Sequence, residues 1–102
     1  MSRVDEIKEQ IAKLTVELDQ HHNLLKQYNH AHYILDTDYE YKRVEDVNSD
    51  YPKVVEILKL YPDSHKVKDV LVDVTDFILE IYDAIEKLEN QIEELKKELE
   101  EE

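Results

Sequence analysis

Two stretches of the chain carry an unbroken hydrophobic repeat in alternating three- and four-residue steps, and no other feature limits the fold as strongly. Val4, Ile7, Ile11, Leu14, Leu18, His21, Leu25, Tyr28, His32 and Leu35 make up the first. Val67, Leu71, Val74, Ile78, Ile81, Ile85, Leu88, Ile92, Leu95 and Leu99 make up the second. Such a repeat keeps one stripe of a helix apolar and requires a second helix to cover it. At about 1.5 Å per residue the two helices are about 50 to 57 Å long, so antiparallel pairing brings their ends into register.

The width of each stripe divides the pair. Residues 4 to 18 and 88 to 99 keep almost strictly to the repeat, the narrow seam of a two-stranded coil. Leu24, Ala31, Tyr33 and Ile34 broaden the first stripe, and Val70, Val72, Phe77, Leu79 and Tyr82 broaden the second. Those portions are expected to touch more than one neighbour. The fold class is therefore all-α: a single all-helical domain over 1–102, built as an antiparallel helical hairpin. A coiled-coil stalk comes from both termini (about 2–20 and 86–102), and a small head of about four helices covers about 21–85.

Four helices are expected, at 3–35, 38–48, 52–60 and 64–100. Ser2 with Asp5 resembles a capping box, Thr37 with Glu40 makes another, and Asp63 or Ser64 can cap the last helix. "NSDYP" and "YPDS" are the breaks.

Composition closes off several chemistries. Glycine is absent, so phosphate-cradling loops and nucleophile elbows, which need a positive φ, are not expected. Cysteine is absent too, which removes disulfides and thiolate ligands. No run of about eighteen apolar residues and no signal-peptide pattern occurs, so a cytoplasmic protein with no membrane partner is expected. The net charge of −13 is uneven: residues 67 to 102 hold 13 of the 26 acidic residues and only 4 of the 13 basic ones. Such a field repels nucleic acid and attracts a basic protein surface.

The His-rich segment 21–32 raises the question of a metal. His21 and His32 lie about 16 Å apart along a helix, and His30 and His32 diverge by about 200°, so none of these pairs has the i, i+4 spacing of helical zinc sites. No Glu-x-x-His pair of a di-metal bundle is present. No catalytic, cofactor-binding or metal residue is assigned, and no cofactor is expected. The serines Ser2, Ser49 and Ser64 fall at capping positions. Tyrosine is the distinctive residue, with six of seven between Tyr28 and Tyr61. Amphipathic rings can seal the wet edge of a small core, and Tyr is also enriched at binding hot spots.

"QYNHAHYILD" followed by "DYEYKR" resembles the nicotinamide-recognition segment at the start of bacterial NAD-dependent DNA ligases. The likeness spans residues 27 to 43, needs a gap between Asp36 and Asp38, and puts Lys42 where that family has an acidic residue. The last third of the chain has no counterpart there, and no site residue is carried over.

The expected function is a non-enzymatic protein–protein interaction module. One form is a small acidic inhibitor or nucleic-acid-mimicking decoy, of viral or mobile-element type, that docks on a basic partner protein and does not bind nucleic acid itself. The alternative is a plain coiled-coil adaptor or oligomerisation protein, with homodimer formation expected. A metal-binding bundle using segment 21–32 stands behind both, and "IEKLENQIEELKKELEEE" also has the regularity of a designed helix. Candidate partner-binding residues are Tyr39, Tyr41, Tyr51, Tyr61, Asp69, Asp73, Asp76, Glu80 and Asp83. The coiled-coil seam is Ile7, Ile11, Leu14 and Leu18 against Leu88, Ile92, Leu95 and Leu99.

Overall fold

The computed structural model describes residues 2–101. It contains three α-helices, α1 (Arg3–Tyr39), α2 (Pro52–Leu58) and α3 (Val67–Glu101), and a single 3₁₀ turn, Val44–Asp46, between α1 and α2. The protein is mostly helical, with one long helix packed on another and no strand among the described residues. Contacts divide it into two compact units, residues 2–24 with 81–101 and residues 25–80.

Unit 1 is a pair of helical segments. Ser2 starts α1 by accepting the Asp5 N–H on its Oγ at 3.2 Å and the Glu6 N–H on its carbonyl at 3.2 Å. Asp5 and Glu6 in the first turn also face the positive end of the helix dipole. Arg3 near the start of α1 pairs with Glu98 near the end of α3, and Leu18 lies with Glu89 and Ile92, so the two segments run antiparallel within this unit. Ile7, Ile81, Ile85, Leu88 and Ile92 are buried; Ile11, Leu14, Leu18, Leu95 and Leu99 are only half-buried. Two helices have no third body to close such a seam, so its flanks stay wet.

Unit 2 has a closed core. Ala31, Leu35, Val54, Val67, Val70 and Val74 are fully removed from solvent, with Val44, Ile57 and Leu71 almost so. These residues come from α1, the 3₁₀ turn, α2 and α3. Fully burying each aliphatic side chain contributes about 1.5–3 kcal/mol, which no half-exposed seam position matches. Tyr28, Tyr39, Tyr51 and Tyr61 pack around this core as partly buried rings.

The expected helix at 38–48 is not there. α1 instead runs through Thr37 to Tyr39, since nothing in "LDTDY" breaks a helix, and the Thr37–Glu40 pair does not act as a cap. The next residues pair with another loop. Val44 N–H donates to His65 O at 2.9 Å, Glu45 N–H to Asp63 O at 3.0 Å, and Val67 N–H to Lys42 O at 2.9 Å. These bonds flank an antiparallel bridge between Arg43 and Lys66. Long-range backbone pairing, anchored by buried Val44, has replaced the local helix. The same pairing delays the start of α3 from 64 to Val67, because the carbonyls of Asp63 and Ser64 serve the loop at 43–45.

A second difference concerns the broad stripe of the last helix. Val70 is buried and Phe77 half-buried, but Val72 (60%), Leu79 (56%) and Tyr82 (51%) are exposed, as is Tyr33 on α1. Val72 is two residues from both Val70 and Val74, which at about 100° per residue puts it on the opposite side of α3 from the core. Leu79, seven residues on, falls on the same side.

Candidate functional site

The candidate partner-binding residues divide by burial. Tyr39, Tyr51 and Tyr61 are half-buried in unit 2, whereas Tyr41, in the turn after α1, is 89% exposed. Asp69, Asp76 and Glu80 are exposed on α3, and Asp73 is half-buried. Spacings of four, three and four put Asp69, Asp73, Asp76 and Glu80 on one stripe of the helix. Val72 and Leu79 lie beside that stripe, so unit 2 presents carboxylates and aliphatic groups on one solvent-facing side of α3. Asp83 is exposed in unit 1.

Two of the named residues are tied to each other. Tyr61 Oη donates to Asp73 Oδ2 at 2.7 Å. Partial burial first, and then the bond to this carboxylate, push the Tyr61 hydroxyl up to about 12. His65 lies against the Tyr61 ring with centroids 5.0 Å apart. This cluster fixes the segment after α2 to α3.

The histidines are spread out. His21 Nδ1 lies 2.8 Å from the Glu17 carbonyl, a contact that the Nδ1–H tautomer satisfies. His30 meets the Tyr51 ring edge-on at 4.6 Å, His32 Nε2 lies 3.4 Å from Thr75 Oγ1, and His22 is exposed. Among the described residues, no three His, Asp or Glu side chains are grouped to hold a metal ion.

Three features were not foreseen from the sequence. One is Lys53, which is buried: its Nζ pairs with Glu56 at 3.0 Å and sits 5.0 Å over the Tyr28 ring. A buried ammonium needs such partners to offset lost hydration. Another is the exposed Val72–Leu79 side of α3. The third is a recess of about 260 Å³ in unit 2, walled by Glu40, Tyr41, Lys42, Arg43, Lys66 and Lys68. No sequence window shows this basic group, because the bridge between Arg43 and Lys66 assembles it from two loops.

No protein-family model matches the chain, and no curated protein or solved structure matches it. The ligase-like segment therefore carries no family assignment. No helix among the described residues is long and apolar enough to cross a membrane.

Proposed function

We propose that the chain is a non-enzymatic docking protein whose partner is a protein with a basic surface. The observation that carries this reading is the solvent-facing side of α3 in unit 2, where exposed Val72 and Leu79 lie among Asp69, Asp76 and Glu80. Aliphatic groups supply area removed from water on association, and the carboxylates steer and orient a cationic partner. The occupant that fits is a basic amphipathic segment, with apolar residues for Val72 and Leu79 and Lys or Arg for the acidic border. A decoy that imitates a nucleic-acid backbone is one form of this function, acting in a cytoplasmic or viral setting.

The test is affinity capture with the wild-type chain beside an Asp69→Asn/Asp76→Asn/Glu80→Gln variant. A genuine partner is retained by the first and lost by the second, and its binding weakens steeply as salt rises from roughly 0.05 to 0.5 M. A partner retained equally by both chains would overturn the reading. Competition by DNA or RNA for the captured partner separates the decoy from a plain adaptor.

A second reading, homodimer formation, rests on the half-buried seam of unit 1. Ile11, Leu14, Leu18 and Leu95 keep apolar flank exposed that a second copy would cover. The same pair supports reading unit 1 as the stalk of a helical hairpin, with unit 2 as its head. Sedimentation equilibrium tests the dimer: acidic copies repel, so association strengthens as salt rises, opposite in sign to the docking above. A monomer at every salt concentration would leave α3 in unit 2 as the sole contact surface proposed.

A further inference from the structure

We infer that the basic recess of unit 2 is a binding site for a multiply charged phosphate-bearing anion. Lys42 and Arg43 follow α1, while Lys66 and Lys68 flank the start of α3. Backbone bonds from Val44 to His65 and from Val67 to Lys42 hold the two loops together at 2.9 Å each, so the four cations converge on one cavity of about 260 Å³.

Three observations point to an anion. First, the chain carries −13 overall, yet among the described residues none of these four side chains lies within 4.0 Å of a carboxylate. Glu40 is the one acid on the lining, against four cations. Second, Arg43 is held in place. Its Nη1 donates to the Ser64 carbonyl at 2.6 Å, and its N–H donates to Asp46 Oδ2 at 3.1 Å. The guanidinium retains further donors for a ligand at no added ordering cost. Third, four cations suit a ligand with several charges better than one carboxylate, since each phosphate brings about −1.5 to −2 and three acceptor oxygens. The Tyr41 ring on the same lining, 89% exposed, offers a face to any planar group attached to the phosphates.

The site is open to water, so binding is modest and salt-dependent. It is independent of the acidic side of α3 and does not rest on the docking function. The probe is inorganic tripolyphosphate, titrated calorimetrically into the full chain at low salt. Saturable binding of one anion per chain is expected, with amide shifts confined to residues 40–43 and 66–68 in heteronuclear spectra. Lys42→Gln/Lys68→Gln weakens it at least about tenfold without altering the circular dichroism, because both residues are exposed and neither side chain is in an ion pair among the described residues. Lys87→Gln/Lys97→Gln removes the same charge elsewhere and leaves the affinity unchanged. Adenosine triphosphate in place of tripolyphosphate reports on Tyr41: tighter binding that Tyr41→Ala abolishes assigns a planar group to the ligand, and equal affinity assigns the phosphates alone. Absence of saturation up to roughly 10 mM, or equal weakening by the two lysine pairs, would overturn the site.

Discussion

α1 and α3 each supply one part of themselves to unit 1 and another to unit 2, and the two parts meet different conditions. In unit 2 the segments around Leu35 and Val74 face α2 and the 3₁₀ turn as well as each other, and Ala31, Leu35, Val70 and Val74 on the facing sides are wholly buried. In unit 1 the segments around Leu14 and Leu95 face only each other and stay half-wet. The same repeat of apolar residues therefore gives a closed core in one place and an open seam in the other. Burial is continuous where a third element covers the pair, whereas in unit 1 buried Ile7, Leu88 and Ile92 alternate with half-buried Ile11, Leu14, Leu18 and Leu95.

The largest expected effect falls in the closed core. Leu35→Ala should cost about 2–5 kcal/mol, since the cavity it leaves is lined from several sides and cannot collapse. Leu14→Ala should cost less than about 1.5 kcal/mol, because the lost area was already partly wet. Urea denaturation of both variants checks the order, and equal losses would erase the distinction. Ile92→Asp should come next. Placing a charge in the seam costs several kcal/mol locally and loosens unit 1, while the tyrosine signals of unit 2 in near-ultraviolet circular dichroism persist. Simultaneous loss of both would mean that the units do not unfold separately.

A smaller effect belongs to pH. Tyr61 is held protonated in the fold, with its hydroxyl raised to about 12 against an ordinary 10.0. A raised value means that the stabilisation is fully present below about pH 10 and is lost as pH climbs toward 12. Tyr61→Phe should flatten that alkaline limb in urea midpoints measured across this range, at a loss of about 1 kcal/mol at neutral pH from the missing bond to Asp73. The smallest effect is expected at Arg3. Its pair with Glu98 is exposed at the open end of unit 1, so Arg3→Ala should leave the urea midpoint unchanged.

How much of this was legible in the sequence follows from the range of the forces involved. The two long helices, their pairing faces and the buried seam positions Leu88 and Ile92 are written in local periodicity, which one chain shows on inspection. The helix expected at 38–48 was not correct, because residues 42–46 answer to a loop some twenty positions away, and no local pattern carries that pairing. Val72 and Leu79 broaden the apolar stripe of the last helix in the sequence, which leads to the expectation of more than one neighbour there. Their angular position opposite Val70 and Val74 was available and would have identified them as exposed. The four cations of the recess are two pairs of ordinary residues until the bridge between Arg43 and Lys66 joins them. Lys53 gave no signal at all, since burial of a lysine depends on Tyr28 and Glu56 being in reach.

Native-state hydrogen exchange, followed amide by amide, tests the contrast between the units most directly. Opening of unit 2 must break the closed core, whereas the seam of unit 1 can open alone. Amides of residues 70–78 in α3 should exchange at least about tenfold more slowly than those of residues 88–95 in the same helix, a gap of about 1.4 kcal/mol or more. Equal protection along α3 would show a single cooperative body and contradict the account.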